Sequence, residues 1–241
     1  MDLRYFYVPK KDIKNDRVYI FGQEYLHLHK VLRKRQGDII KVVNGEGDEY
    51  TVLLSKTEDG YAEGKIIEKR RKPNEIPFEL AFACGVLKGE RMDLLIEKGT
   101  ELGVTRFFPL LTEKTEVEPS ESKVLRWNKI AISAMKQSRR SVLPFIERPV
   151  SLSDFGNLVT DYDLKILLNE KVKIRPEVKE NNFRRVVIVA GPEGSFTQDE
   201  INFLKKIGFE EWNLGLRTLR SETALLFAGM IFLYLSERRN L

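Results

Sequence analysis

The sequence predicts an α/β protein in two parts, a small antiparallel β-barrel over residues 1–73 and an α/β domain with a mostly parallel sheet over residues 74–241. Three observations lead there. The first 70 residues read as short strands separated by turn signals, the rhythm of a small barrel. Lys69 to Pro77 is a charged run ending in two prolines, the composition of a linker. Beyond it strands and helices alternate, and Val186 to Ala190 is an unbroken apolar run suited to a strand buried on both faces of a parallel sheet.

In order, the first part offers strands at Tyr5 to Val8, Val18 to Phe21, Ile39 to Val43, Tyr50 to Leu54 and Gly64 to Glu68. Turns are expected at Asn44 to Asp48 and Glu58-Asp59-Gly60. Gln23 to Arg35 has helical spacing at Leu28, Val31 and Leu32, leaving Lys30, Arg33, Lys34 and Arg35 free to meet phosphates. In the second part strands are expected over 79–86, 106–111 and 164–168, and helices over 90–102 and about 120–140. After Val186 to Ala190, Gly191-Pro192-Glu193-Gly194 breaks the strand, and Thr197-x-x-Glu200 has capping-box spacing for a helix with Ile201, Leu204 and Lys205 inward. Trp212 to Leu216 is a further strand candidate. Ser221 is placed to cap the last helix, which is apolar on nearly every side from Ala224 to Leu235.

At 42% hydrophobic and 32% charged residues the composition is that of a globular protein rather than a disordered chain. The longest apolar run, Ala224 to Leu235, is too short to span a bilayer and lies at the wrong end for a signal peptide, so a cytoplasmic protein is expected. The single cysteine, Cys84, sits within an apolar strand pattern and reads as a buried hydrophobe. His27 and His29, the only histidines, are two apart on a helical segment and point apart, which argues against a metal site. Net charge is +5, and residues 1–73 carry 16 Lys and Arg against 12 Asp and Glu. Most of the surplus therefore lies in the first part, as a nucleic-acid-binding accessory domain requires.

No G-x-G-x-x-G follows a strand and no G-x-x-x-x-G-K-[ST] occurs, which disfavours a dinucleotide-binding dehydrogenase or a P-loop NTPase. The Gly191 to Gly194 loop alone is a weak signal. Paired with Leu214-Gly215-Leu216-Arg217-Thr218-Leu219-Arg220-Ser221-Glu222-Thr223-Ala224 it says more, because both loops leave strands of one α/β unit. In an open parallel sheet such loops face a single crevice. A structural reading stands beside this one, with Arg217 and Arg220 merely pairing Glu193 and Glu222.

Several stretches, in order along nearly the whole chain, resemble the RsmE family, the 16S rRNA uridine-N3 methyltransferases of the SPOUT superfamily. They are His27-x-x-x-Val31-Leu32-Arg33 followed by Gly37-Asp38, Leu87 to Val104 (LKGERMDLLIEKGTELGV), a helix ending Gln137-Ser138-Arg139-Arg140, GPEGSFTxxE from Gly191, and LGxRxLRxETA from Leu214. Two positions depart from the family pattern. Ser195 stands where a second glycine is usual, and Thr218 where isoleucine is common.

The resemblance implies an N-terminal PUA-like barrel, a C-terminal SPOUT domain with a trefoil knot, a homodimer, and S-adenosyl-L-methionine as cofactor. It implies methylation of N3 of a specific uridine of 16S rRNA, equivalent to U1498, in the small ribosomal subunit. Carried over by position, the cofactor pocket comprises Leu167, Leu168, Asn169, Ala190, Gly191, Pro192, Glu193, Gly194, Leu214, Gly215, Leu216, Arg217, Thr218, Leu219 and Arg220. Arg220, Glu222 and Arg140 are the catalytic candidates, and His27, Lys30, Arg33, Lys34, Arg35, Arg139 and Arg140 face RNA. A cation beside the uracil oxygens would stabilise the anion left when N3 loses its proton, while the catalytic base stays open. The rival readings are a non-catalytic rRNA-binding or ribosome-assembly protein, and a SPOUT enzyme acting on another RNA.

Overall fold

The computed structural model of the chain describes residues 4–58, 60–115, 118–173 and 183–238. It divides into two compact units, Met1–Glu75 with Ile132–Leu143, and Ile76–Ala131 with Pro144–Leu241.

The first unit holds β1 (Tyr5–Tyr7), β2 (Ile13–Lys14), β3 (Arg17–Phe21), α1 (Gly22–Leu26), β4 (Ile39–Val43), β5 (Asp48–Glu58) and β6 (Tyr61–Arg71). Its sheet runs β1-β4-β5-β6-β3-β2 and buries Phe6, Val18, Ile20, Ile40 and Val52 on one face with Tyr25 and Leu28 of the helical segment. All pairings are antiparallel except β1 with β4, a departure from the all-antiparallel expectation. Parallel pairing needs a crossover, and the segment from β2 through α1 supplies one.

The helix expected to Arg35 ends early. From α1 it continues as a π-turn over His27–Val31, and Arg33 takes a left-handed φ of +52°. Leu28 is the last fully buried anchor, and the charges of residues 33–35 offer nothing to pack a further turn. The linker also starts later than its composition suggests. Lys69 to Arg71 extend β6, because β5 places Asp48 opposite Arg71, Glu49 opposite Arg70 and Tyr50 opposite Lys69. Lys69 and Arg71 both reach the Asp48 carboxylate, at 3.1 and 3.0 Å. Of the expected turn at residues 58–60, Asp59 lies outside the described residues.

The second unit contains β7 (Glu79–Gly85), α2 (Arg91–Glu101), β8 (Arg106–Leu111), the first part of α3 (Glu121–Gln137), β9 (Phe145–Ile146), β10 (Val150–Ser151), α4 (Leu152–Leu158), β11 (Leu164–Leu168), β12 (Arg185–Ala190), α5 (Gln198–Lys206), β13 (Glu210–Trp212) and α6 (Ser221–Arg238). The sheet order is β10-β8-β7-β12-β11-β13, with β9 beside β8, and every pairing is parallel. Val186 to Ala190 is buried on both faces, as an interior strand of a covered sheet demands. α2 packs against α6. Gly99 of α2 and Gly229 of α6 let these helices lie close on the sheet, since a Cβ on either would lie 2.8 Å from Phe107 and 2.6 Å from Phe82 respectively.

α4 went unread, although Ser151 caps it by accepting from the Asp154 amide at 3.1 Å, a Ser-x-x-Asp signal present in the chain. The capping box at Thr197 forms as spaced, with Ile201 and Leu204 buried. Lys205 instead turns outward to Glu211, at 2.7 Å. Trp212 ends its strand rather than opening one, because Asn213 spends its side chain on the Glu170 and Val172 carbonyls and on the Gly215 amide, leaving a tight loop.

Candidate active site

Because β11, β12 and β13 run parallel, their carboxyl ends meet at one edge of the sheet, with Leu167 beside Val189 and Leu168 beside Trp212. A cavity of about 430 Å³ opens there, in the place where an open α/β sheet holds its ligands. Its walls include Leu168, Asn169, Ala190, Gly191, Pro192, Gly194, Leu214, Arg217, Thr218 and Leu219, so segments distant in sequence converge. Glycine is required where the loop folds back on itself. A Cβ on Gly191 would lie 2.7 Å from the Phe196 amide nitrogen, and one on Gly85 would lie 2.5 Å from Pro192 Cδ. Gly194 and Ser195 are both left-handed, at φ +89° and +64°, so Ser195 adopts the backbone that the usual glycine favours. The turn closes through the Ser195 amide to the Pro192 carbonyl at 3.0 Å.

The loops are held from below. Glu200, 5% exposed, accepts from the Thr197 amide and, with its other oxygen, from the Glu113 amide, each at 2.8 Å. Asn169 receives the Lys171 amide at 3.0 Å and donates to Glu211 at 2.8 Å, while its own amide bonds the Trp212 carbonyl. Ser221 does not spend its hydroxyl as a cap. It starts α6 and donates to the Gly191 carbonyl at 2.5 Å, tying the second glycine loop to the first.

Five expected cofactor residues do not line this cavity. Leu167 is fully buried in the sheet core, Glu193 turns away to Arg91 at 2.6 Å, Gly215 and Leu216 sit at the exposed tip of their loop, and Arg220 faces elsewhere. Glu170, Lys171, Ser195, Trp212, Asn213 and Ala224 join the lining although none is among the expected cofactor residues. The polar Asn169 and Asn213 at two strand ends were the signal for their loops, since such residues close turns through their own side chains.

A second, wider cavity of about 850 Å³ lies beyond the same two loops and takes in Arg220 and Glu222 together with Glu193. Among the described residues no carboxylate pairs with Arg217 or Arg220, so the bracing role open to both arginines is not the one they take. Glu222 is 5% exposed, and its Oε2 has no hydrogen-bond partner. Burial first, and the Glu222 charge second, push the Cys84 thiol well above its ordinary range, which leaves it an inert core group.

Arg140 is not among the residues that line either cavity. It is 2% exposed and lies in the first unit, where its Nε and Nη2 reach Glu75 Oε2 at 3.0 and 2.7 Å. A guanidinium so enclosed against a carboxylate is closed to solvent, which speaks against the catalytic and RNA-facing roles expected of Arg140. Arg139 is exposed at φ +58° in the same turn. Of the remaining RNA-facing candidates, His27, Lys30, Arg33 and Arg35 are exposed, while Lys34 is partly covered near Asp38. The ring of His29 stacks on Tyr25.

A family model described as RNA methyltransferase domain matches residues 74–233, and one described as RNA methyltransferase PUA domain matches residues 22–67. The ribosomal RNA small subunit methyltransferase E of Synechocystis sp. is 34% identical over 203 residues, covering 82% of this chain and 66% of that protein. The protein of that name from Mesomycoplasma hyopneumoniae is 30% identical over 217 residues, covering 89% and 93%. The crystal structure of a ribosomal RNA small subunit methyltransferase E from Neisseria gonorrhoeae bound to S-adenosyl methionine superposes with a TM-score of 0.88 at 28% identity, covering 97% of this chain and 98% of that one.

Proposed function

The chain belongs to the ribosomal RNA small subunit methyltransferase E (RsmE) family, and from that premise we propose that it methylates N3 of one uridine of 16S rRNA, the position equivalent to U1498. S-adenosyl-L-methionine is the methyl donor. The observation that carries the reading is the cavity at the carboxyl ends of β11, β12 and β13, lined by Arg217 to Leu219 of a loop whose next residue, Arg220, lines a second cavity and has no carboxylate partner among the described residues.

The first cavity suits the cofactor. Leu168, Ala190, Leu214 and Leu219 cover an adenine, the Gly191 to Gly194 backbone can approach it without a Cβ in the way, and Lys171 and Arg217 are at hand for a carboxylate. When bound, the sulfonium supplies an electrophilic methyl group. The chain's own work is to orient it, to exclude water, and to hold the uracil anion as it forms. Arg220 can hold a uracil oxygen beside N3 with the fixed donors of its planar fork, which the single point charge of a lysine does not match. Positioning supplies much of the rate in such an in-line transfer.

The same reading includes a homodimer, a trefoil knot formed by the cofactor loops, and a cytoplasmic enzyme. The dimer draws support from α6, which buries Leu225, Ala228 and Phe232 on one side and leaves Phe227, Met230 and Tyr234 half exposed on another, with Leu94 exposed on the adjoining α2. RNA affinity is assigned to the first unit through its exposed cations Lys30, Arg33, Arg35 and Arg139.

The test is mass mapping of 16S rRNA from cells with and without the gene, together with Arg220→Ala in single turnover. The methyl group should appear on N3 of one uridine only when the gene is present. Arg220→Ala should lower the rate about a hundredfold or more with cofactor affinity and melting temperature intact. A normal rate in that variant ends the proposal for Arg220, and no gene-dependent rRNA methyl group ends the reading as a whole.

A further inference from the structure

The 850 Å³ cavity is lined by two residues that each keep an unpaired carboxylate oxygen. Glu222 Oε2 and Asp93 Oδ1 are both buried without a hydrogen-bond partner, and both residues line it. Asp93 uses its other oxygen on Arg126 at 2.7 Å. A buried carboxylate oxygen without a donor is costly, and folded proteins keep very few. Two on one cavity, with Arg91, Arg126 and Arg220 around them, call for a ligand that carries N–H or O–H donors next to acceptor oxygens.

We infer that Glu222 is the group that receives the N3 proton of the target uridine, with Arg220 holding a neighbouring uracil oxygen. The inference rests on the reading above. Uracil presents one donor, N3–H, between two carbonyl acceptors, and a carboxylate flanked by cations is its complement. Cytosine lacks a proton at N3 and would set a lone pair against the carboxylate. The placement is also the one the reaction needs. Residues 217–219 face the cofactor cavity while Arg220 and Glu222 face the wider one, and Ser221 anchors the partition between them to Gly191.

The step balances. The N3–H bond breaks and its proton forms an O–H bond on the Glu222 carboxylate. The N3 electron pair then forms the N–CH3 bond, the sulfur–methyl bond breaks, and its electrons stay on sulfur as a neutral thioether. Anion and sulfonium annihilate each other's charge, and Glu222 later returns its proton to solvent.

The experiment compares wild type, Glu222→Gln and, as a near-isosteric control without any acceptor, Glu222→Leu. Small subunits from cells lacking the gene serve as substrate. Single-turnover methylation should fall a hundredfold or more in both variants, the usual size of a lost general base. Two readouts do not depend on turnover. Without cofactor or RNA, both variants should melt at or above the wild-type temperature, because the substitution removes an unpaired buried carboxylate. With S-adenosylhomocysteine present, wild type should bind unmethylated subunits at least tenfold more tightly than methylated ones, and Glu222→Leu should lose that preference. Wild-type rate in Glu222→Gln overturns the assignment, as does a lowered melting temperature with cofactor binding lost alongside, which would mark Glu222 as structural. Methyl transfer by wild type to an atom other than uracil N3 instead overturns the reading on which the inference rests.

Discussion

Replacing Glu75 by alanine removes an acidic partner of a guanidinium enclosed within the first unit. Arg140 is 2% exposed and the Glu75 side chain 5%, so water cannot replace the lost carboxylate. Glu75 Oε1 also accepts the Ser141 and Val142 amides, at 2.8 and 2.9 Å, so the substitution leaves two backbone donors unpaired as well. Breaking a buried pair from one side costs about 3–5 kcal/mol, because the remaining charge stays desolvated. For a chain of this size each kcal/mol moves the melting temperature by roughly 2–4 °C, so Glu75→Ala should melt roughly 6–20 °C below wild type. The assay is thermal unfolding followed by circular dichroism, with Arg140→Met and the double variant Glu75→Gln/Arg140→Met alongside. The double variant should be less destabilised than the single changes sum to, since it leaves no lone charge. Melting of Glu75→Ala within about 2 °C of wild type would refute the argument. So would Arg140→Met that melts normally but no longer transfers methyl groups, which would return Arg140 to the reacting centre.

Gly85→Ala should push Pro192 aside, since the new Cβ would lie 2.6 Å from the Pro192 nitrogen, and calorimetry with S-adenosylmethionine should show at least a roughly tenfold loss of affinity. Unchanged affinity would mean that this loop does not cradle the cofactor. Thr197→Ala removes one cap bond and should cost about 1 kcal/mol, whereas Glu200→Ala also frees the Glu113 amide and should cost more; equal melting temperatures would contradict the double role of Glu200. At Asp48 burial pushes the carboxyl up, but hydrogen bonds from Lys69, Arg71 and Tyr50 outweigh it and hold the group below its ordinary 3.8. Its stabilisation is therefore present above that value and lost as pH falls through the lower folded one, so Asp48→Asn should flatten the acid limb of urea midpoints measured below pH about 4. An acid limb of unchanged slope would count against the Asp48 cluster.

Where a signal was local, the chain could be read without its structure. Arg106–Leu111 and Leu164–Leu168 occur at the residues their apolar runs mark, because a strand buried on both faces needs only a short continuous run with breakers at its ends. The Thr197 capping box is likewise complete within four residues. Misreadings fall where a distant partner decides. Lys69 to Arg71 look like linker until the acidic end of β5 is laid beside them, and the helix after α1 stops where its last buried anchor stops. The cofactor loops were legible as stretches but not residue by residue. In a loop each neighbour turns to a different side, so Glu193 and Arg220 left the cavity that Pro192 and Leu219 line.

By itself the sequence determined the two-part architecture, the alternation of strand and helix in the second part, the inert cysteine, and the two glycine loops that line one cavity. Each of these follows from periodicity, capping or backbone freedom within a window of a few residues. Only the tertiary structure decided the strand order that brings the ends of β11, β12 and β13 together. It alone sent Arg140 to Glu75, 65 positions away, and left Glu222 buried with an unpaired oxygen beside an unpaired arginine. The physical reason is that charge and hydrogen-bond partners are chosen in space after the chain has folded, and a side chain's role follows from which partners burial leaves it.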